Sequence, residues 1–445
     1  MTALNFTRTL EFHRVPPFTR HLVKTCLLDI IGTGAGALRS KASGAAREYA
    51  VEHHPAGRLG ARLLFDGRRV HPLGAAYAGG FTIDSLDAHE GHFTSKGHAG
   101  ATVVPAILAL VDAYRAGGSE ISGKELLALL TIGYEVSLRS GVALMASATD
   151  YHASGAFSGL GVVMAASRLL DLDSETTRHA LGIAEYFGPR CPMMRLIDHP
   201  SMLRDAHGAG AYAGINAVLM AKAGITGAPA VTVEDPAYAP QWSDLGSRWE
   251  IDAQYFKPWP VCRWAQAALS ALTQLMKTHE EVRADNVVAI RVETFSESVR
   301  LQGYTPANED EAQYALAFPL AALLVRGQLG AAEVIGDAIH SPEIIAACQK
   351  ITIVEADDLS ARFPGEILSR VHVETRDGLT FSSETTVAKG DPLDRMSDEE
   401  FVEKYNLLAY GTLGQARADA IREHIDALEE SPDCAGLLEL LLSPR

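Results

Sequence analysis

Cysteine is scarce. The chain carries five in 445 residues, Cys26, Cys191, Cys262, Cys348 and Cys434, an odd and scattered set with no CxxC pair. That argues against a disulfide framework and fits a reducing cytoplasm. Positive charge is in deficit. Against 55 Asp and Glu stand 39 Lys and Arg, for a formal net charge of -16. Such a chain has no broad basic footprint for nucleic acid, so no nucleic-acid partner is expected. A few local cations inside an acidic protein still suffice for a small carboxylate. The N-terminal MTALNFTRTLEFHRVPPFTR lacks an apolar signal core. No stretch reads as long and apolar enough to cross a bilayer, so no membrane partner is expected either.

What is present is helical periodicity over roughly the first 280 residues. FTRHLVKTCLLDIIG places Leu22, Val23, Cys26, Leu27, Ile30 and Ile31 on one stripe. VVPAILALVDAYRAGG predicts a helix starting near Pro105 and stopping at Gly117-Gly118. SGLGVVMAASRLLDLD and GAGAYAGINAVLMAKAG are apolar nearly all round and rich in Gly and Ala, as suits the centre of a bundle. Gly32, Gly34 and Ala37 fit GxGxxG/A, but the preceding residues have helical rather than strand periodicity, which predicts helix packing instead of a dinucleotide site.

Past about residue 284 the texture changes. VVAIRVETF and ITIVE alternate as strands, and SRVHVETRDGLTFSSET predicts a hairpin around Asp377-Gly378 with a type I′ turn. Pro319 marks the start or a kink of another helix, and Ser397 with Glu400 forms a capping box that returns the chain to helix. The expected class is mainly α. A large all-helical domain spans 1–265 and 395–445, and a smaller α+β lid spans 266–394.

Three stretches carry chemistry. DSLDAHEGHFTSKGHAG, residues 84–100, reads as a metal site, a set of proton-transfer groups or a solvated loop. The spacing of His89, His92 and His98 matches no tight zinc pattern, and no metal is expected. His98 opens a buried helix and Asp84 ends an apolar segment, so core elements anchor the loop at both ends. TDYHASGAFSGLG sets Tyr151 and His152 ahead of another Gly-rich helix, either as pocket groups or as capping residues. FKPWPVCRWAQAAL puts Lys257, Cys262 and Arg263 in a proline-stiffened turn near the domain boundary, where pockets are common. The alternative there is a rigid linker with a solvated lysine and an inert cysteine.

These pieces, with IGYEVSLRSGVAL, HGAGAYAGINAVLMAKAGITG, QYALAFPLAALLVRG and MSDEEFVEKYNLLA in the same order, resemble the MmgE/PrpD family over nearly the whole chain. The resemblance implies a helical domain with an α+β lid, a homodimer, no cofactor, and proton transfer next to a carboxylate of a small polycarboxylate. Family activities include 2-methylcitrate dehydratase, cis-aconitate decarboxylase and iminodisuccinate epimerase. Asp84, Asp87, His98, His152 and Lys257 match family positions. Ala88 stands where the family has Thr, Phe318 where it has Tyr, and Cys262 where decarboxylases have His. Leu203, with Arg204 next to it, stands where the family has Lys. These departures turn the expectation toward an epimerase. His98 and His152 form its acid/base pair and Asp84 orients a histidine. Lys257 and Arg204 hold carboxylates, and Tyr151 and Cys262 are held in reserve. A dehydratase- or decarboxylase-like lyase and a non-catalytic carboxylate-binding protein are the alternatives.

Overall fold

The computed structural model describes residues 2–444. The mainly helical expectation holds. Pro17–Ala37, Pro72–Asp84, Gly100–Ala116, Gly123–Ser147, Gly155–Leu169 and His207–Lys222 are the principal helices of the first half. The glycines set how closely they approach. A Cβ on Gly161 would sit 2.0 Å from the Gly133 carbonyl oxygen, and one on Gly159 2.9 Å from that of Gly210. Side chains there would push apart helices that now touch backbone to backbone. Within Pro17–Ala37, Gly32 faces the Tyr405 ring, which a Cβ would meet at 2.8 Å. The GxGxxA-like run is therefore a helix-packing surface.

Asp398–Leu413 is the element that packs there. Ser397 and Glu400 form its reciprocal capping box, and its Lys404 Nζ donates to Asp29 at 2.5 Å and to the Ala88 carbonyl at 2.7 Å. Farther on, Cys434 N donates to the Ile121 carbonyl and Phe65 N to that of Leu441. The C-terminal helices thus share one core with the N-terminal ones.

The lid holds a five-stranded sheet. Val287–Thr294 lies between Ile351–Glu355, parallel to it, and Leu368–Thr375, antiparallel. Thr380–Ser382 and Thr386–Val387 both pair with Leu368–Thr375. Arg263–Thr278 and Ala317–Arg326 cover the sheet, with Leu272, Leu320, Val292 and Val371 in its apolar core.

Three local expectations are corrected. The helix expected near Pro105 begins at Gly100 and contains Pro105, whose ring packs on Gly79. The hairpin turn has positive φ only at Gly378, and Thr375 and Leu379 flank a three-residue loop, so it is not type I′. Gly123–Ser147 is long and apolar enough to cross a bilayer by length and composition, contrary to expectation, yet 94% of its apolar window is buried inside the protein. It also encloses the buried Glu135–Arg139 ion pair.

Candidate active site

Two short strands bring the histidine-rich loop to the proline-stiffened turn. Gly91–His92 pairs antiparallel with Gln254–Tyr255, placing Gly91 opposite Tyr255. A Cβ on Gly91 would overlap the Tyr255 ring at 2.3 Å and His98 Nδ1 at 2.7 Å, so glycine is what lets both rings close in. Two residues past this ladder, Lys257 Nζ contacts Asp87 Oδ1, and both side chains are buried. The loop's acidic and histidine side chains are not solvated: Asp84, Asp87, His89, Glu90, His92 and His98 are all buried, while Phe93, Thr94 and Lys96 are exposed. His92 Nε2 lies 3.3 Å from a Glu250 carboxylate oxygen, and His92 also borders the cavity described below.

His98 sits just before Gly100–Ala116. Its backbone N–H donates to Ser154 Oγ at 3.0 Å, and its Nδ1 bonds the Glu90 carbonyl. A carbonyl only accepts, so Nδ1 carries the proton and Nε2 keeps a free lone pair. Ser154 Oγ in turn donates to Asp205 Oδ1 at 2.8 Å. Asp205 is flanked by two non-glycine residues of positive φ, Arg204 at 41° and Ala206 at 58°. This strained backbone turns the carboxylate toward His98 just before His207–Lys222 begins.

These groups enclose a cavity of about 490 Å³ between the helical domain and the lid. Asp87, His98, Asp205, Lys257, Tyr151, Tyr255 and Cys262 line one part, and Met193, Met194, Ile197, Trp264, Phe363 and Ile367 another. His98 and Cys262 lie immediately before the N-termini of Gly100–Ala116 and Arg263–Thr278, where the helix dipoles favour bound negative charge.

Burial governs the electrostatics. Burial, with the Lys257 ammonium second, pulls His98 down to about 4, and the same two causes pull His207 down to about 3. Burial pushes the Asp87 carboxyl up, but Lys257, then His98, more than offset this and leave it below its ordinary value. Burial, then Asp87, raises the Cys262 thiol to about 12; burial, then Asp205, raises the Tyr151 phenol well above its usual range. Near neutral pH the cavity therefore holds a neutral imidazole, a carboxylate and protonated phenol and thiol groups.

Of the residues expected at the site, His98, Tyr151, Lys257 and Cys262 come together on one cavity. Arg204 does not join them. It is buried behind the wall, where Nε donates to Asp310 Oδ1 at 2.7 Å and Nη1 to the Asp84 carbonyl and Gln313 Oε1, so its charge is already compensated. Asp84 also lies behind the wall. Its Oδ2 accepts from His207 N at 3.3 Å and its Oδ1 is 3.8 Å from His89 Nε2, so the histidines it adjoins are His207 and His89, while His98 is held by the Glu90 carbonyl. His152 is half-buried, bonds the Asp150 carbonyl through Nδ1 at 2.7 Å and bridges to Pro192. Extended backbone alternates its side chains, and Tyr151, not His152, is the one that lines the cavity.

Asp205, Tyr255 and Tyr314 also line the cavity, and the His207 ring lies behind it, 5.9 Å from that of His98. His207 opens a Gly-rich helix in RDAHGAGAY just as His98 does in GHAGATVV, and that repeated pattern marks it. The strained backbone that places Asp205 leaves no mark in the sequence. Two trios can offer metal ligands: Asp87, His89 and His98, and Asp84, His89 and His207, each with its ligand atoms within 4.8 Å of one another. In the first, the Lys257 ammonium already neutralises Asp87.

With this geometry in hand, comparison with known proteins gives two consecutive matches. The MmgE/PrpD N-terminal domain matches residues 4–251, and the MmgE/PrpD C-terminal domain matches 259–430. The chain belongs to the MmgE/PrpD family. Among its relatives is the cis-aconitate decarboxylase-like protein oryM of Aspergillus oryzae, 25% identical over 98% of this chain and 96% of the relative. The cis-aconitate decarboxylase of Aspergillus terreus is 24% identical over 86% and 84%, and that of Homo sapiens 25% identical over 84% and 80%. The cavity draws on both family domains, Asp87, His98 and Asp205 from the first and Cys262, Trp264 and Tyr314 from the second. Lys257 lies in the short segment between the two matches.

Proposed function

We propose that the cavity is the active site of a lyase that moves a proton at the carbon next to a carboxylate of a small carboxylic acid. The observation that carries this is the buried, neutral His98 with a free Nε2, set in one cavity with the Lys257–Asp87 pair. Removing such a proton leaves charge on the carboxylate as an enediolate, which a nearby ammonium and helix N-termini stabilise. His98 Nε2 takes the proton. Lys257 holds the carboxylate, and substrate charge beside the imidazole raises its basicity in the complex. Tyr151, Tyr255 and Cys262 keep their protons and supply one to the departing group or the new carbanion. In loss of water, the enediolate's electron pair forms the double bond and hydroxide leaves the neighbouring carbon with its own pair, protonated as it departs; in loss of carbon dioxide no proton is removed first, and the electron pair left on carbon is taken up by a conjugated carboxylate and quenched by one of these protonated groups. The cis-aconitate decarboxylase relatives support the lyase class.

Epimerisation is the second reading. It is favoured by the protonated Tyr151 and Cys262 on the same cavity, since inversion needs an acid on the face opposite the base. His152 is not part of it. The two readings separate on product. Incubation with hydroxy- and unsaturated polycarboxylates, followed by NMR, is expected to yield dehydrated or decarboxylated product. Inversion alone, without loss of water or carbon dioxide, would replace the lyase with the epimerase.

A further inference from the structure

The charges on the cavity wall are already matched. Lys257 contacts Asp87. Arg263 makes a two-point contact with Asp391 at 2.8 and 3.1 Å and lies 3.6 Å over the Tyr255 ring. Lys96 is exposed, 5.9 Å from the Tyr151 ring centroid. On the lining, three cations, Lys96, Lys257 and Arg263, equal in number three carboxylates, Asp87, Asp205 and Glu297. Arg204 is held outside by Asp310.

The rest of the wall is apolar and pre-formed. Trp264 lies edge-on to Phe363 at 6.0 Å, and Phe363 stacks on Phe295 at 4.5 Å and 8°. Met193, Met194 and Ile197 also line the cavity, supplied by the short helix Met194–Asp198 and the residue before it. The volume of about 490 Å³ lies in the range, roughly 300–1,000 Å³, of pockets that enclose drug-sized ligands. A compact tricarboxylate would bring three negative charges to a wall with no net charge to offset them. It would also leave the Met, Trp and Phe surface wet.

Building on the reading of this cavity as the active site, we propose that the substrate is an acid with one or two carboxylates and an apolar arm of several carbons. The carboxylate sits at Lys257 and His98, and the arm lies along Met194, Ile197, Trp264 and Phe363. These four residues are then specificity-determining.

Calorimetric titration of the full chain with succinate, n-butylsuccinate and tricarballylate tests this. Burying a methylene tightens binding about fourfold. We expect n-butylsuccinate to bind at least tenfold tighter than succinate, and tricarballylate to bind no tighter than succinate. Met194→Glu, at a half-buried position outside the acid/base groups, is expected to weaken n-butylsuccinate at least tenfold and to shrink its advantage over succinate. Tricarballylate binding tightest, with affinity lost in Lys257→Met, would overturn the apolar-arm proposal and leave the cavity as the active site. An n-butylsuccinate affinity indifferent to Met194→Glu would overturn it as well. If no acid binds, or if Lys257→Met changes none of the affinities, the active-site reading falls and takes the proposal with it.

Discussion

Lys257 and Asp87, 170 positions apart, meet as a buried ammonium–carboxylate contact at the junction of loop and turn. Removing one partner strands the other charge in the interior, which costs about 3–5 kcal/mol. Lys257→Met is therefore expected to lose both stability and turnover. Asp87→Asn combined with Lys257→Met removes both charges and is expected to recover most of the stability, read from urea unfolding, but none of the turnover. A double variant as unstable as the single would show that the pair is not what Lys257 contributes to folding.

His98 and His152 are expected to behave differently. Losing a positioned acid/base costs about 10²–10⁴ in rate, so His98→Gln should fall by that much in kcat. His152 bonds only the Asp150 carbonyl and is not on the cavity lining, and His152→Ala should cost less than tenfold. Steady-state kinetics on the two variants decides. Equal losses would bring His152 back to the reaction.

How much of this was legible turns on particular residues. The capping box at Ser397 and Glu400, the strand at 287–294 and the packing role of Gly32 follow from periodicity and local chemistry, which act over a few residues. His98 was legible because a polar residue opening an apolar helix needs a partner. Arg204 misled because a cation beside a family lysine position reads as a ligand, whereas its fate was set by Asp310, 106 positions away. His152 misled because one step along an extended segment exchanges inside for outside, a register that composition does not encode. Asp205 was silent because its position depends on two positive φ angles.

Acid should destabilise the protein through buried imidazoles. His98, at about 4, and His207, at about 3, lie below their ordinary 6.5 in the folded chain. Their contribution is complete above pH 6.5 and is lost as pH falls from there through 4 toward 3. Each of these imidazoles leaves the unfolded chain with up to one proton more, which adds about 1.4 kcal/mol per pH unit to the slope. His207→Gln is expected to lower the slope by about that amount, measured by urea unfolding between pH 4 and 7. An unchanged slope would mean that other groups govern acid unfolding.

Glu90 should act in the opposite direction. Its side chain is buried; Oε1 accepts from Gly100 N at 2.8 Å, and burial, then Asp29, raises it from 4.5 to about 8. A raised carboxyl contributes fully below pH 4.5, and that contribution is lost as pH rises through 8. A carboxyl displaced that far carries a free energy of roughly 3–5 kcal/mol. Glu90→Gln keeps an acceptor for Gly100 and removes the charge. It is expected to raise the melting temperature at pH 8 and to change it little at pH 4.5. A uniform loss at both pH values would show that the carboxyl's shape, not its protonation, matters.

If His98 transfers a proton at the carbon next to a carboxylate, hydrogen exchange at that carbon reports the step. Wild type and His98→Gln are incubated in D2O with n-butylsuccinate and with hydroxy- and unsaturated polycarboxylates, and the α-hydrogen signal is followed by NMR. Wild type is expected to place deuterium at that carbon on at least one acid, and His98→Gln to do so at least a hundredfold more slowly while calorimetry still detects binding. Binding without any exchange by wild type, or exchange undiminished in His98→Gln, would contradict proton transfer by His98.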